Sequence, residues 1–324
     1  MMNIYSQHFP PKAHFTEASI PDLTGKVYIV TGSNTGIGKE VAKILYSRNA
    51  TVWIAARDDQ RATQAIDDIR NDHAESKGTL KYLHLDLSDL STIPTSAQTF
   101  LRQETRLDAL FNNAGVMIPS PGSATKQGYE LQMGVNCLGH FLFTKVLNPI
   151  LLDTAKSARS GSVRVIWVSS SAVEGLAPHG GVDMDNIEYT QERSVYAKYG
   201  ISKAGCYFYA TEFAHRVEGS GIISISLNPG ELSTELDRTA PWWVVGIRRL
   251  KCYPPVFGAY TELFAAFSDE VTTTMPTAWI VPWGRFLPMR KDILEGAVSV
   301  AEGSTGIATK FWQWSEEQVA PYAK

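Results

Sequence analysis

The chain has 324 residues, of which 44% are hydrophobic and 19% are charged, a composition typical of a globular protein with a large core. With 30 basic and 33 acidic residues the formal net charge is −3, so we expect none of the basic surface that nucleic-acid binding requires. The three cysteines fall in no metal-ligand or disulfide pattern, which favours a reducing compartment and a cytoplasmic protein. The N-terminal arm, residues 1–23, lacks the pattern of a signal peptide, and we expect no apolar run to span a bilayer.

The first predicted strand, residues 26–32, leads into a glycine-rich turn and then a helix. This order is typical of a βαβ unit that binds a nucleotide. Gly32 permits the tight turn, Gly36 lets the backbone approach a pyrophosphate, and Gly38 lets the helix pack close to the strand. The backbone N–H groups of the first helical turn would then face the anion. The predicted contacts in this segment are Gly32, Ser33, Asn34, Gly36, Ile37 and Gly38.

The second predicted strand, residues 51–57, ends at Ala56 and Arg57. A site for NAD places Asp or Glu here, where the carboxylate accepts a hydrogen bond from the ribose 2′-hydroxyl. A carboxylate would repel a 2′-phosphate, whereas Arg57 can pair with it through two parallel hydrogen bonds. We therefore expect a preference for NADP(H). The alternative is a solvated arginine at a strand end.

Strands and helices alternate as far as residue 230 without a linker or a repeat. Further strands are predicted at 80–85, 107–111, 164–168 and 222–227, and helices at 59–75 and 128–152. This alternation predicts a doubly wound parallel α/β sheet of the Rossmann type, within a single domain that covers residues 24–324. Ligands bind such sheets at the carboxyl ends of the strands. The predicted site residues at those ends are Asp86, Leu87, Asn113, Ala114, Gly115, Ser170, Pro229 and Gly230.

Two polar residues need a partner. Asp86 could accept a hydrogen bond from an adenine amino group, or it could cap a helix that begins near Ser88. Asn136 lies among apolar residues of a predicted helix, where a buried amide requires hydrogen bonds.

Tyr199 and Lys203 are four residues apart in a segment of helical composition, so they would share one face of a helix. A phenol with a reference pKa of about 10 is protonated at neutral pH, and a nearby ammonium favours its ionised form. The pair could therefore exchange a proton with a substrate. The same spacing also occurs on ordinary solvated helix faces.

Taken in order, these segments resemble the short-chain dehydrogenases/reductases. The resemblance covers roughly residues 24–285 and points to the retinol-dehydrogenase-like branch and to fungal biosynthetic reductases. It departs from the branch at Cys137 and Asn228, where His is frequent. The matching motifs are Thr31-Gly32-x-x-x-Gly36-Ile37-Gly38, Asn112-Asn113-Ala114-Gly115, Asn136, Ser170, Tyr199-x-x-x-Lys203 and Asn228-Pro229-Gly230.

The resemblance implies an NADP(H)-dependent oxidoreductase that interconverts a carbonyl and an alcohol on an apolar small molecule. Tyr199 would be the general acid/base, and Lys203 would promote its ionisation and hold the nicotinamide ribose. Ser170 would bind the substrate oxygen, and Asn136 would hold a water that links Lys203 to solvent. Thr234 would contact the nicotinamide carboxamide.

The family pattern also selects Ser170 from three consecutive serines. A strand-like backbone would turn Ser169 and Ser171 to the opposite side. Leu232 is the remaining cofactor contact that the resemblance implies.

Beyond residue 230 the chain is more individual. We expect a substrate lid at about 231–255, in which Trp242 and Trp243 form an apolar substrate wall. The same segment, which continues into a basic cluster, could instead rest on a membrane surface or pack against a second subunit of a homodimer. The tail, about 306–324, is expected to pack back on the domain or at a dimer interface.

Two other functions are compatible with this fold. One is a redox-neutral step of the epimerase or cyclase type at the same site, and the other is a non-catalytic regulator that senses a nucleotide. The regulator has no need of a proton relay, so the presence of Asn136, Ser170, Tyr199 and Lys203 argues against it.

Overall fold

A computed structural model describes residues 2–234, 252–298 and 305–323. Its centre is a sheet of eight strands in the order β3-β2-β1-β4-β5-β6-β7-β8. Neighbouring strands are parallel except for the pair β7 and β8. The strands are β1 Val27–Thr31, β2 Thr51–Ala56, β3 Thr79–His84, β4 Ala109–Asn112, β5 Val163–Val168, β6 Ile222–Leu227, β7 Trp279–Val281 and β8 Arg285–Leu287.

Helices cover both faces of the sheet, as the alternation predicted. Buried side chains of α2, α3 and α8 form the core on one face, and those of α4, α5, α7 and α10 form the core on the other. The helices are α1 Met2–His8, α2 Gly36–Ser47, α3 Asp59–Asp72, α4 Ile93–Leu101, α5 His140–Ser157, α6 Ala172–Gly175, α7 Val195–Arg216, α8 Pro255–Phe267, α9 Lys291–Ala297 and α10 Ile307–Val319. The doubly wound Rossmann-type fold is therefore confirmed.

The central strands are buried throughout, which explains their sequences. Every residue of β1, β5 and β6 is buried, and β1 and β5 are almost continuous apolar runs, whereas β6 also contains the buried Ser224 and Ser226. A parallel strand covered on both faces has no solvent side, so it lacks the alternation of polar and apolar residues seen in half-exposed strands.

The segment around Asn136 differs from the continuous helix predicted at 128–152. A π-helix at Met133–Gly139 leads directly into α5. Together these residues, Met133–Ser157, form a helix long and apolar enough to cross a membrane, contrary to the expectation from the sequence. Its most apolar window has a mean hydropathy of 1.3 and is 72% buried inside the fold. The helix therefore forms part of the core of this domain.

The C-terminal tail packs back on the domain, which was one of its two expected placements. The ring of Phe311 stacks on that of Tyr209 in α7 with centroids 4.8 Å apart. The hydroxyls of Ser315 and Tyr209 are 2.6 Å apart and form a buried hydrogen bond. Aromatic stacking and this hydrogen bond together fix α10 against α7.

Candidate active site

A cavity of about 700 Å³ opens at the carboxyl ends of the parallel strands, and we call it the cleft. Three of the predicted site residues lie outside its lining: Ser33 and Gly38 are buried under the glycine turn, and Asn136 lies behind the cleft wall. The predicted residues that line the cleft are Gly32, Asn34, Gly36, Ile37, Arg57, Asp86, Leu87, Asn113, Ala114, Gly115, Ser170, Tyr199, Lys203, Pro229, Gly230, Leu232 and Thr234.

The glycine turn packs so tightly that side chains would not fit. Gly32 has a φ of +68°, and a Cβ there would lie 2.9 Å from the Cα of Ala114. A Cβ on Gly38 would lie 2.5 Å from Nδ2 of Asn113. The turn therefore presses against the end of β4, and α2 begins directly at the floor of the cleft.

Thr31, which the sequence analysis left without a role of its own, joins the turn to the end of β4. Its Oγ1 accepts hydrogen bonds from the backbone N–H groups of Asn113 and Ala114, both at 2.9 Å. Nδ2 of Asn113 donates in return to the backbone oxygen of Thr31 at 2.7 Å. In the sequence, this role could have been indicated by a β-branched hydroxyl residue at the last position of a strand.

Two arginines line the cleft beside β2. The side chain of Arg57 is exposed at the strand end and makes no hydrogen bond or ion pair with another residue that the structure describes. Asp58 caps α3 by accepting a hydrogen bond from the backbone N–H of Arg61 at 3.0 Å. This cap places Arg61, which the sequence analysis did not consider, in the cleft lining one helical turn from Arg57.

Asp86 also lines the cleft, but it does not cap a helix. Its Oδ1 accepts hydrogen bonds from the backbone N–H and the hydroxyl of Ser88, at 2.9 and 2.6 Å. The next helix, α4, begins only at Ile93, so the predicted helix start near Ser88 is wrong. The carboxylate instead closes a local turn of the kind that Asp favours in loops.

Tyr199 and Lys203 lie side by side on α7 and both line the cleft. Their exposed fractions are only 5% and 4%. Nζ of Lys203 lies 5.8 Å from the centroid of the Tyr199 ring and donates a hydrogen bond to the backbone oxygen of Val168 at 3.0 Å. An ammonium group has three N–H donors, so two of them remain for ligands in the cleft.

Ser170 follows the end of β5 and lines the cleft on the same side. Its Oγ accepts a hydrogen bond from the N–H of Ala172 at 3.2 Å. The backbone at Ser171 is already helical, with φ −55° and ψ −19°, and Ser169 and Ser171 line the cleft as well. The expected strand-like alternation of the three serines is therefore wrong, because α6 begins immediately after them.

Asn136 is fully buried behind the cleft and holds the loop that follows β4. Its Oδ1 accepts from the N–H of Val116 at 2.8 Å, and its Nδ2 donates to the oxygen of Val116 and to Oγ of Ser202, both at 3.0 Å. A Cβ on Gly115 would lie 3.3 Å from Asn136 Oδ1 and 3.5 Å from Lys203 Nζ. The absence of a side chain at Gly115 thus leaves space between the amide and the ammonium.

His140 is a buried residue at this site that the sequence analysis missed. Its Nδ1 lies 3.2 Å from the backbone oxygen of Asn136, and its Nε2 lies 3.0 Å from Oγ1 of Thr31. Burial lowers the pKa of His140 to about 3, so the ring is neutral and serves as a hydrogen-bonding spacer between the two segments.

The far wall of the cleft follows β6. Gly230 has a φ of +101°, and a Cβ there would lie 2.8 Å from the ring of Trp283. A Cβ on Gly36 would lie 3.5 Å from Cβ of Thr234, so the chain after β6 reaches across to the glycine turn. Trp242 and Trp243, which were expected to form the substrate wall, lie outside the described residues.

Apolar side chains also line the cleft. Most follow β4 or belong to the approach to the π-helix, and sequence reasoning did not single them out because they look like ordinary core residues. They are Val116, Met117, Pro119, Leu131 and Val135.

Comparison with known proteins gives consistent matches along the chain. A family model described as short chain dehydrogenase matches residues 26–182. A short-chain dehydrogenase/reductase of Phomopsis amygdali is 52% identical, and the match covers 99% of this chain and 98% of that protein. The short-chain dehydrogenase/reductase bet4 of Neocamarosporium betae is 44% identical over 99% of this chain and 94% of its own length.

Solved structures share the fold at lower identity. An uncharacterised protein of Mycobacterium paratuberculosis has a TM-score of 0.69 and 25% identity, and the match covers 95% of this chain and 98% of that one. The RhlG complex with NADP from Pseudomonas aeruginosa has a TM-score of 0.60 and 23% identity, with 81% and 94% of the two chains covered.

Proposed function

This chain belongs to the short-chain dehydrogenase/reductase family, an oxidoreductase family, and from that premise we propose that it uses NADP(H) to interconvert a carbonyl and an alcohol on an apolar small molecule. The observation that carries the proposal is the meeting of Tyr199, Lys203 and Ser170 in one cleft with the glycine turn. Interconversion of a carbonyl and an alcohol needs a proton donor, a cation and a hydroxyl donor next to the nucleotide-binding turn.

The glycine turn and the first turn of α2, which we call the cradle, suit a dinucleotide. The turn at Gly32 and Gly38 admits no side chain, and the N-terminus of α2 opens onto the cleft, where backbone N–H groups can bind a pyrophosphate. Arg57 and Arg61 offer guanidinium groups at the end of β2 for a 2′-phosphate. The structural neighbour RhlG was solved with NADP, which agrees with this assignment.

We assign the remaining cofactor contacts along the strand ends. Asp86, which lines the cleft, would accept a hydrogen bond from the adenine amino group, and the wall after β6 would hold the nicotinamide end through Leu232 and Thr234. Thr234 lies beside Gly36, close enough to complete the cradle from the opposite side.

In the proposed reaction, bound NADP(H) supplies or accepts the hydride. The Tyr199 hydroxyl passes the proton to or from the substrate oxygen, and the nearby Lys203 ammonium stabilises the ionised phenol. Ser170 Oγ donates to the same substrate oxygen, where charge develops. Lys203 is held by Val168, which leaves two of its N–H groups for a ribose hydroxyl.

In this proposal Asn136 can bind the relay water through only one of its polar atoms. Both N–H groups of its amide are used by Val116 and Ser202. Its Oδ1 accepts one hydrogen bond and retains a second lone pair. We place the relay water there, in the space that Gly115 leaves beside Lys203 Nζ.

The apolar lining supports the proposed substrate class. Met117, Pro119 and Leu131 offer no hydrogen bonds, so a substrate gains affinity by burying apolar surface next to its carbonyl. We also propose a cytoplasmic location on the basis of cysteine usage, because Cys137 and Cys206 are buried thiols outside any disulfide.

The test is Tyr199→Phe in an NADPH oxidation assay with a panel of apolar ketones and aldehydes. We expect NADPH affinity to stay within about twofold and turnover to fall by about 100- to 10,000-fold. Retained turnover would rule out the assigned proton transfer. Product formation by the unchanged protein without net NADPH consumption would favour a redox-neutral reaction at this site.

A further inference from the structure

The N-terminal helix α1 inserts a buried amide beside the cleft. Gln7 in this helix is 2% exposed. Its Nε2 donates a hydrogen bond to Oε1 of Glu174 at 2.7 Å, and its Oε1 accepts one from Nδ2 of Asn228 at 2.8 Å. One side chain from the start of the chain thus joins two segments that are far apart in sequence.

Both of these segments carry cleft residues. Glu174 belongs to α6, the short helix that follows Ser170. Asn228 directly precedes Pro229 and Gly230, and its Oδ1 accepts a hydrogen bond from the N–H of Gly230 at 3.1 Å. The Gln7 amide therefore spans from α6, the helix after Ser170, to the turn that forms the opposite wall.

Further contacts hold α1 in this position. Nδ1 of His8 lies 2.7 Å from Oε1 of Glu231, which itself lines the cleft. Nη2 of Arg285 donates to the backbone oxygen of Ser6 at 2.7 Å. On the far side, Glu174 Oε1 also accepts from Nε1 of Trp279 at 3.1 Å.

We propose that Gln7 is a positioning residue that sets the distance between Ser170 and the Pro229–Gly230 wall, and hence the fit of the carbonyl substrate. This proposal rests on the proposed function. The amide is suited to the position because it donates to a carboxylate on one side and accepts from an amide on the other. Without it, Nδ2 of the buried Asn228 loses its acceptor and the half-buried Oε1 of Glu174 keeps only Trp279, so the two segments are free to move apart.

Two substitutions distinguish a positioning role of Gln7 from a role in folding alone. Gln7→Ala removes both hydrogen bonds at any pH. Gln7→Glu keeps the shape, but at about pH 8 it sets a second carboxylate against Glu174. At lower pH the pair shares a proton, so the Glu introduced at position 7 donates to Glu174 while its other oxygen accepts from Asn228.

Kinetics are measured with NADPH and phenanthrenequinone as the probe carbonyl, and NADPH binding is measured by nicotinamide fluorescence. For Gln7→Ala we expect KM for the probe to rise about tenfold, with kcat and NADPH affinity within about twofold. For Gln7→Glu we expect a larger rise at about pH 8 that recovers towards the unchanged protein at about pH 6, whereas Gln7→Ala does not recover. Each variant is compared with the unchanged protein at the same pH.

The matched control is Gln103→Ala, at an exposed glutamine after α4, for which we expect unchanged kinetics. Hydrogen–deuterium exchange gives a readout that does not depend on activity, and we expect Gln7→Ala to raise exchange in residues 170–177 and 228–233. Unchanged KM in Gln7→Ala, no recovery of Gln7→Glu at low pH, or a loss of activity that only parallels the unfolded fraction would overturn the proposal. If the unchanged protein fails to oxidise NADPH with the probe, the assignment of function is in question, and exchange in those two segments still decides the role of Gln7.

Discussion

Glu262 gives the sharpest prediction about stability. It lies in α8, is fully buried, and neither of its carboxyl oxygens has a hydrogen-bond partner among the described residues. Burial raises its pKa from the ordinary value of 4.5 to about 8, and the charge of Lys203 offsets only part of this effect. The folded protein therefore keeps this side chain protonated at neutral pH, where the unfolded chain ionises it.

The sign of the pH dependence follows from proton binding. Between pH 4.5 and about 8 the folded state holds one more proton at Glu262 than the unfolded state, so its contribution to stability falls as the pH rises. The difference of about 3.5 in pKa corresponds to a loss on the order of 5 kcal/mol across this window. Such a loss is a large fraction of the stability of an ordinary domain.

Glu262→Gln replaces the acid with a neutral amide of the same size. We expect the variant to gain several kcal/mol over the unchanged protein at about pH 8 and to lose that advantage at about pH 5. The assay is urea unfolding followed by tryptophan fluorescence across this pH range. Glu75→Gln, at an exposed carboxylate after α3, is the control and should leave the curve unchanged. Parallel stability curves for Glu262→Gln and the unchanged protein would refute the reasoning.

Three further predictions concern the cleft. Arg57→Ala should weaken NADPH binding about tenfold or more and leave NADH binding unchanged in fluorescence titrations, and an equal loss for both would contradict the 2′-phosphate assignment. Thr31→Val should lower the free energy of unfolding by about 2 kcal/mol, because two backbone N–H groups lose their acceptor, whereas Thr95→Val on the exposed side of α4 should not. Gly115→Ala should reduce kcat about tenfold in the ketone assay by crowding the amide and the ammonium, and Gly175→Ala, where a Cβ meets no atom within 4 Å, is its control.

The parts of the fold that could be predicted from the sequence are those with a repeated local signal. Strands β1, β2, β4, β5 and β6 are mostly apolar runs that end at small or polar residues, so both their existence and their carboxyl ends can be read directly. Strands β7 and β8 have only three residues each and were missed. They form because Trp279 pairs with Ser226 and Leu287, and such pairing leaves no pattern in so short a segment.

The contacts that complete the cleft are even less local. Gln7 reaches across 167 residues to Glu174 and across 221 residues to Asn228. A single glutamine in the N-terminal arm has no sequence signature for either contact. The π-helix around Asn136 was missed for a related reason: its apolar residues fit a continuous α-helix equally well, and a wider backbone turn leaves no pattern in the sequence.

The spacing of Tyr199 and Lys203 places two groups on one helix face, but it does not place that face relative to Ser170. Two buried hydrogen bonds do so. Lys203 Nζ donates to the oxygen of Val168, and Ser169 Oγ donates to the oxygen of Lys203 at 2.7 Å. Both bonds join α7 to the end of β5 immediately before Ser170, so the residue that we propose as the promoter of phenol ionisation also fixes the distance between the phenol and the serine hydroxyl. A change at Lys203 therefore alters charge and geometry together, and the cost of losing it cannot be read as electrostatic stabilisation alone.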